Sequence, residues 1–296
     1  KELKVVFAGC AKNCANYLPK TLENIQIYSK LFKETFTIII ENGSTDLTKE
    51  ILKTYKKQND LFLFQDNLNK INNRTQRLEL ARNLIIEKIK TQTELFSCDL
   101  LIILDLDEIG AYKIHDQNIL ESINFLYSKK DIGAIFANQE GTYYDIWALR
   151  DERYCKTDFW VDILKFLFLN KKANKNIPSS LIYEANKKII NSRILSFKKD
   201  LPPILVSSAF GGFGIYKMEY ILKNKKQYKG SQWIDLVSED NKTFKIEYQK
   251  CEHVDFHRGL IDQNLKLYIL PNLINRGFGR NRFSATIATN LIIKKN

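Results

Sequence analysis

Apolar and polar residues follow one another along the first third of the chain with the periods of strands and helices in turn. Apolar runs bounded by turn residues predict strands at 3–9, 36–41, 61–64 and 100–104. Helical spacing of apolar residues predicts intervening helices at 17–32, 47–55 and 74–90. This alternation predicts parallel strands joined by right-handed crossovers, with a ligand outside the carboxyl ends of the strands.

Beyond residue 108 the pattern changes to that of a mixed sheet. A helix is predicted near 117–128 and a strand near 132–138, and an aromatic and polar stretch follows at 143–168. Residues 171–188 are basic, rich in asparagine and weakly periodic. We interpret them as a mobile surface excursion that leaves room for a short helix.

The strand predicted at 100–104 ends in paired acids and is the most informative stretch of the sequence. Its residues are all apolar, which is typical of a strand covered on both faces. Asp105 and Asp107 follow, and because successive side chains alternate, both point to one side while Leu106 points to the other. Two carboxylates aimed at one point repel unless a cation or a proton lies between them. Oxygen ligands suit Mg²⁺ or Mn²⁺, so the pair predicts a metal site that a phosphate-bearing ligand completes.

Composition limits the classes of protein to which this chain can belong. With 296 residues, 44% of them hydrophobic, it can bury the core of one large α/β domain or of two fused halves. No apolar run approaches the ~18 residues of a membrane span, and the first residues enter a strand without a signal peptide. Five scattered cysteines, an odd number, favour a reducing compartment over a disulfide framework. We therefore expect a cytoplasmic protein, with peripheral contact at a membrane as an alternative.

The net charge of +12 indicates that the chain attracts anions. Nucleotide phosphates, nucleic acid and anionic lipid surfaces are all compatible with it. A basic nucleic-acid-binding protein is the non-enzyme alternative, but no helix-turn-helix, zinc or RNA-binding signature accompanies the charge. We expect no nucleic-acid partner.

Several short motifs, in order along nearly the whole chain, resemble those of GT-A glycosyltransferases. In the first half they are VFAGCAKN at 6–13, ENGSTD at 41–46, RTQRLELARN at 74–83 and LDLDE at 104–108. In the second half they are YDIWALR at 144–150, SAFGGFGIY at 208–216 and CEHVDFH at 251–257. The nearest likeness is to the fungal capsule-associated mannosyltransferase group and its bacterial and viral relatives.

The resemblance implies an α/β fold of the GT-A type. A Rossmann-like, nucleotide-sugar-binding half at 1–110 would be fused to an acceptor-binding half at 111–296, with a mixed central sheet. A basic segment at 271–296, containing Gly277 and Gly279 beside three arginines, is expected to act as a lid over the phosphates or as a tail on a membrane surface. The arginines are Arg276, Arg280 and Arg282.

In GT-A enzymes the first strand and the acidic turn after the second hold the base and ribose of the donor. The resemblance therefore implies donor contacts for Asn13, Glu41, Asn42 and Asp46. Capping of the following helix is a compatible role for Asp46.

Three arginines of the helix predicted at 74–90 would neutralise a donor diphosphate through bidentate guanidinium contacts. They are Arg74, Arg77 and Arg82. A solvated helix face is the alternative for Arg77 and Arg82.

Asp105 and Asp107 fit the DxD motif of the family, in which the first acid contacts the ribose or the metal through water. The resemblance adds a histidine ligand from the C-terminal region, His253 or His257, and His253 is preferred because it lies inside the Cys-Glu-His triplet. Mn²⁺ or Mg²⁺ is the expected cofactor.

Two further carboxylates, Glu252 and Asp255, flank these histidines. An inverting enzyme needs a base to deprotonate the acceptor hydroxyl, whereas a retaining enzyme does not. We favour Glu252 as the base, and the choice between inversion and retention stays open.

Residues of the second half supply the expected sugar and acceptor contacts. Asp145 and Arg150 would bond hydroxyls, Trp147 would stack on a sugar ring, and Gly211 and Gly212 would let backbone approach the ligand closely. A core position for the aromatic residue and a plain turn for the glycines are the alternatives.

The predicted function is metal-dependent transfer of a sugar from a GDP- or UDP-sugar to a glycan or lipid-linked saccharide hydroxyl, in synthesis of a surface polysaccharide or glycoconjugate. A sugar nucleotidyltransferase is the enzymatic alternative, since it also uses a parallel sheet, an acidic pair and Mg²⁺. Residues 9–13 match its Gly-rich basic loop only faintly.

Overall fold

The computed structural model describes residues 2–172, 179–237 and 241–275. The strands are β1 (Lys4–Ala11), β2 (Glu34–Glu41), β3 (Asp60–Phe64), β4 (Leu100–Leu104), β5 (Ile132–Gln139), β6 (Thr142–Tyr143), β7 (Leu195–Ser196), β8 (Ile204–Val206), β9 (Phe213–Lys217), β10 (Ser231–Val237), β11 (Thr243–Gln249) and β12 (Lys266–Asn275). The helices are α1 (Leu18–Ser29), α2 (Thr48–Tyr55), α3 (Arg74–Thr91), α4 (Thr93–Phe96), α5 (Asp116–Ser128), α6 (Phe159–Lys172), α7 (Ser179–Asn191), α8 (Met218–Lys223) and α9 (His253–Ile261).

An eight-stranded sheet runs through the chain in the order β3-β2-β1-β4-β9-β5-β12-β8. The four strands from the first third, β1 to β4, are parallel, as predicted. β9 lies antiparallel between β4 and β5, and β8 is antiparallel to β12 at one edge. The predicted α/β class and mixed central sheet are therefore confirmed.

The two faces of this sheet are covered by different helices. Strands β1 and β4 are apolar at almost every position, so the side chains of alternating residues belong to two separate cores. Val5, Phe7 and Ile102 pack with residues of α1 and α5 on one face. Val6 and Ile103 pack with residues of α3 and α9 on the other. Coverage of both faces leaves the sheet's edges and loop-bearing ends for polar chemistry.

Two helices lie where the sequence showed little periodicity. Within the stretch at 143–168, helix α6 begins at Phe159, and the short-helix alternative for 171–188 is correct over Ser179–Asn191. Ile189 and Ile190 of α7 pack against the cluster of Phe159 and Ile163. Packing of these few apolar residues stabilises a helix that the Asn- and Lys-rich sequence does not predict.

The sequence also made predictions about membrane spans, cysteines and a C-terminal lid. None of the helices in the described ranges combines the length and apolar character needed to cross a lipid bilayer. All five cysteines are free thiols, as predicted. The first five residues of the expected lid belong to β12, and the remainder, with its glycines and arginines, lies outside the described residues.

Candidate active site

Loops from both halves of the chain meet at the edge of the sheet where the parallel strands end. β1, β2 and β4 end there, at Ala11, Glu41 and Leu104. β9 runs the other way, and its first residue pairs with the last residue of β4 at the same edge. The backbone N–H of Asp105 donates to the carbonyl oxygen of Gly212 at 3.0 Å. The acidic pair and the glycine loop therefore adjoin.

The turn after β1 is tied to the turn after β2. Asn13 has a φ of 49°, a left-handed conformation that asparagine tolerates better than most residues. Its N–H donates to Ser44 Oγ at 2.9 Å, and its Oδ1 accepts from the N–H of Thr45 at 2.8 Å. Asp46 accepts from the N–H groups of Ala15 and Thr48, each at 3.0 Å. Desolvation by itself would raise the pKa of Asp46, but the hydrogen bonds outweigh it and the pKa is lowered.

Glu41 and Asn42, at the end of β2, are both buried. The Glu41 carboxylate accepts from the N–H groups of Gly43 at 3.2 Å and Ser44 at 2.5 Å. In the part of the chain that the structure describes, Asn42 Oδ1 is buried without a hydrogen-bond partner, and the Asn42 carbonyl oxygen accepts from Lys12 Nζ at 3.4 Å. Glu41 therefore shapes the turn, while Asn42 retains an acceptor oxygen for a ligand donor.

The three arginines of α3 lie in different environments. Arg74 is exposed at the first residue of the helix. Arg77 donates from Nη1 to the carbonyl oxygens of Ile71 at 2.5 Å and Asn72 at 3.1 Å. Arg82 is only 6% exposed. Among the three, Arg74 is the one best placed to meet an anion from solvent.

The two carboxylates of the acidic pair differ in exposure. Asp107 is exposed, and its Oδ1 accepts from the N–H of Ile109 at 3.1 Å. Asp105 is 29% exposed, accepts from the Tyr144 hydroxyl at 3.3 Å and lies 3.9 Å from Arg82 Nη2. Desolvation and, next, the charge of Asp107 raise the pKa of Asp105 to about 7. A cation between the two carboxylates would remove this repulsion.

A buried cluster joins α3 to the start of α9. Arg82 Nε lies 3.1 Å from Glu252 Oε1. The guanidinium packs over the rings of Phe210 and Tyr228, at 5.0 Å and 5.8 Å from their centroids. His253 stacks on Phe210 at 4.2 Å, and neither of its ring nitrogens has a hydrogen-bond partner among the described residues. Burial and then the charge of Arg82 hold the pKa of His253 well below its usual value, so the ring is neutral.

His257 and Asp255 already have strong partners. His257 is fully buried, and its two ring nitrogens bond the hydroxyls of Ser208 and Tyr216, each at 2.9 Å. Burial, followed by the charge of Arg82, lowers the pKa of His257 to about 3. Asp255 Oδ2 accepts from Lys250 Nζ at 2.8 Å. His253 is therefore better suited than His257 to serve as a metal ligand. Both carboxylates are paired with cations, Asp255 with Lys250 and Glu252 with Arg82.

Asp145 and the glycine pair form one hydrogen-bonded loop. Asp145 accepts from the N–H of Gly211 at 3.1 Å and of Ala148 at 3.3 Å. Desolvation, partly offset by these bonds, raises its pKa to about 6. Gly211 and Gly212 have φ of 64° and 77°, and a Cβ on Gly212 would lie 2.6 Å from Ile109 Cγ2. The glycines are therefore required by backbone conformation and packing, whatever ligand they meet.

Trp147 and Arg150 face the interior of the protein. Trp147 is partly buried and packs edge-on against Trp160, with ring centroids 6.4 Å apart. Arg150 is 9% exposed, donates to the Trp147 carbonyl oxygen at 2.9 Å and pairs with Asp158 at 2.8 Å. The guanidinium of Arg150 therefore supports the loop that carries Asp145.

The chemistry of the acidic pair fits a metal with oxygen ligands. Asp107 is exposed, and Asp105 carries a raised pKa beside it. His253 adds two buried ring nitrogens that have no hydrogen-bond partner within residues 2–172, 179–237 and 241–275. In the part of the chain that the structure describes, no three His, Cys, Asp or Glu side chains are already arranged to hold an ion. A metal would therefore be held by the carboxylate pair together with a ligand, as oxygen donors of this kind suit Mg²⁺ or Mn²⁺.

Three aromatic residues of the site have contacts that the sequence did not predict. The Tyr144 hydroxyl donates to Asp105, and the rings of Phe210 and Tyr228 both contact the Arg82 guanidinium. Tyr144 and Phe210 lie inside motifs but resemble core residues, and Tyr228 lies outside every motif. Their roles depend on contacts between distant parts of the chain.

A cavity of about 720 Å³ opens away from this edge, between residues 151–154 and 201–207. Its lining is largely apolar and includes Tyr154, Pro203 and Leu205. It lacks the acidic pair, the glycine loop and the buried histidines. Convergence of polar groups, rather than cavity size, therefore identifies the candidate active site.

Comparisons with known proteins agree with this geometry. The family described as glycosyl transferase family 2 matches residues 10–183. An uncharacterised glycosyltransferase of Mycoplasma pneumoniae is 39% identical over 46 residues, which are 16% of this chain and 15% of that protein.

The first of two similar solved structures shows the likeness of fold. The mannosyltransferase PcManGT of Pyrobaculum calidifontis, in complex with GDP-mannose and Mn²⁺, has a TM-score of 0.50 at 10% identity. That comparison covers 97% of this chain and 60% of the other. S. aureus TarS 1–349, in complex with UDP-GlcNAc, has a TM-score of 0.48 at 10% identity and covers 94% and 60%. The fold is that of GT-A glycosyltransferases.

Proposed function

The chain belongs to glycosyl transferase family 2, and from this premise we propose that it transfers a sugar from a nucleotide diphosphate sugar to an acceptor hydroxyl. The observation that carries the proposal is the pair Asp105 and Asp107 at the carboxyl edge of the sheet, beside the glycine loop. Anionic side chains at this position favour a metal-bound diphosphate. The nucleic-acid-binding and nucleotidyltransferase alternatives are disfavoured by the family match.

The donor nucleotide would lie over the turns after β1 and β2. Asn13, Glu41 and Asp46 shape these turns through their hydrogen bonds, and Asn42 Oδ1 is available to a base or ribose donor. Arg74, exposed at the first turn of α3, is supported as a diphosphate contact, whereas Arg77 donates to backbone carbonyl oxygens. We assign this half of the protein, 1–110, to the donor.

Asp107, together with Asp105, would hold the Mn²⁺ or Mg²⁺ ion. Of the two histidines in the motif, His253 is the one with unengaged ring nitrogens, and it would have to approach the carboxylate pair to join the metal. Such an ion, when bound, stabilises negative charge on the departing diphosphate. Asp105 accepts from the Tyr144 hydroxyl, which fixes the orientation of its carboxylate. A neutral His253 presents a nitrogen lone pair, whereas both nitrogens of His257 are engaged.

An acceptor would approach from the second half, 111–296. Asp145 is supported as a hydroxyl contact, since its half-buried carboxylate lies at the glycine loop. Gly211 and Gly212 shape that loop, while Trp147 and Arg150 support it. Glu252 is preferred over Asp255 as the base if the reaction inverts the anomeric centre, because it belongs to the Cys-Glu-His triplet and pairs with Arg82, which also reaches Asp105.

The finer assignment is a hexosyltransferase related to the capsule-associated mannosyltransferase group, using a GDP- or UDP-sugar. Its acceptor would be a glycan or lipid-linked saccharide in surface polysaccharide synthesis. The reaction would take place in the cytoplasm, with peripheral membrane contact when the acceptor is lipid-linked.

Thermal unfolding with UDP-, GDP- and CMP-sugars, each with MnCl2 or with EDTA, tests the proposal. A cognate donor at about 100 times its Kd adds about 2.7 kcal/mol to the stability of the native state. We expect one nucleotide class to raise Tm, and to do so only with Mn²⁺. If no nucleotide sugar raises Tm in either condition, the proposed function is wrong.

A further inference from the structure

One guanidinium stands between the two carboxylates on which the proposed chemistry depends. Arg82 Nε is 3.1 Å from Glu252 Oε1, and Arg82 Nη2 is 3.9 Å from Asp105 Oδ1. Asp105 follows β4, whereas Glu252 immediately precedes α9. The arginine side chain therefore spans the boundary between the two halves of the protein.

The surroundings of Arg82 restrict its movement. It is 6% exposed, and its guanidinium is packed over Phe210 and Tyr228. Phe210 in turn stacks on His253 at 4.2 Å, with an angle of 26° between the ring planes. An arginine held in this way cannot swing out to an exposed diphosphate without losing its aromatic contacts and its ion pair. Arg74, in contrast, is exposed.

The position of Glu252 depends on this arginine. Glu252 is 4% exposed. Among the described residues, two basic side chains lie within ion-pair distance of its carboxylate, Arg82 at 3.1 Å and His253 at 3.9 Å. Since His253 is neutral, Arg82 is the partner that balances the charge of Glu252. Without Arg82 the carboxylate would be a buried, unpaired charge, free to turn toward solvent. The geometry between Glu252 and Asp105 would then be lost.

We propose that Arg82 is a positioning residue that holds the Glu252 carboxylate at a fixed position relative to Asp105. It does not bind the donor diphosphate. The proposal rests on the proposed function, in which Asp105 belongs to the donor side of the reaction and Glu252 to the acceptor side. It predicts that the effects of Arg82 on turnover pass through Glu252.

A double-mutant cycle with Arg82→Met, Glu252→Gln and the combined variant tests this inference. Three quantities are measured for each protein: the urea midpoint of unfolding, the Kd for UDP and for GDP with MnCl2, and the rate of nucleoside diphosphate release from the donor that stabilises the wild type. The combined variant carries no unpaired buried charge, so it remains measurable even if Arg82→Met alone fails to fold.

We expect Arg82→Met and Glu252→Gln each to lower turnover by at least about 30-fold, with no further loss in the combined variant. The Kd for the nucleoside diphosphate should stay within about threefold of wild type in all three. The combined variant should regain the unfolding midpoint that Arg82→Met loses, but not its turnover.

A tenfold or larger rise in Kd on Arg82→Met would overturn the inference, because it would indicate a diphosphate contact. Recovery of both midpoint and turnover in the combined variant would also overturn it, since the pair would then be only structural. Arg193→Met, which breaks the ion pair with Asp162, serves as a control that should lower the midpoint alone. If the wild type binds neither nucleotide, the proposed function fails as well.

Discussion

The backbone N–H of Asp105 bonds the carbonyl oxygen of Gly212 at 3.0 Å, so the first acid of the pair and the glycine loop are positioned by one hydrogen bond. Asp105 directly follows β4 and Gly212 directly precedes β9, and these two strands are adjacent and antiparallel. Any change that displaces Gly212 is therefore transmitted to the carboxylates.

Gly212→Ala should lower the free energy of unfolding by at least about 2 kcal/mol and weaken metal-dependent donor binding. Its φ is 77°, and the new Cβ would lie 2.6 Å from Ile109 Cγ2 and 2.8 Å from Asn275 Nδ2. Urea unfolding and donor titration measure the two effects.

Gly141→Ala is the matched control for that substitution. Gly141 has a φ of 86°, but nothing lies within 4 Å of its Cβ position. It should cost only the backbone strain of about 1 kcal/mol and leave donor binding intact. Equal effects at the two positions would contradict the packing argument.

Asp107→Ala should abolish Mn²⁺-dependent donor binding without loss of stability. The side chain is exposed, and its removal relieves repulsion with Asp105. Calorimetric titration of UDP or GDP with and without MnCl2 measures the binding. Asp262→Ala, which removes another partly exposed carboxylate, is the control, and unchanged Mn²⁺ dependence in Asp107→Ala would exclude the metal assignment.

The two histidines near α9 should respond differently to alanine. His257→Ala removes a fully buried ring with two hydrogen bonds and should cost about 2–4 kcal/mol of stability without changing metal affinity. His253→Ala removes a ring without hydrogen bonds and should cost less stability but more metal affinity. Unfolding with EDTA and Mn²⁺ titration separate the two, and a reversed pattern would point to His257 as the ligand.

Asp145 should make stability depend on pH. Its pKa is raised to about 6 in the folded state, against about 3.9 in an unfolded chain, so the folded state binds its proton more tightly. This contribution to stability is fully present below about pH 4 and is lost as pH rises through about 6. Unfolding free energies in EDTA should therefore rise for Asp145→Asn relative to wild type between pH 4 and pH 7, and a constant difference would contradict the shift.

The candidate site was predicted only in part, because its residues obey different constraints. Asp105 and Asp107 follow an apolar strand, so the local pattern of side chains sufficed to place them at the edge of the sheet. Arg82 and Arg77 look like the polar face of a helix, yet Arg82 is buried against Phe210 and Tyr228. A local sequence pattern does not predict a contact with a residue that is distant along the chain.

By itself, the sequence determined the parallel α/β order of β1 to β4, the acidic pair at the strand end and the helix that follows β3, because all three depend on short-range periodicity. The tertiary structure alone decided which polar residues are engaged inside the protein. His257 bonds Ser208 and Tyr216, while His253 keeps both nitrogens free of such bonds. Both histidines lie in one short motif, so the sequence does not distinguish them. A buried polar atom without a hydrogen bond costs free energy, and only the neighbours in three dimensions show which ring is satisfied and which is suited to a ligand.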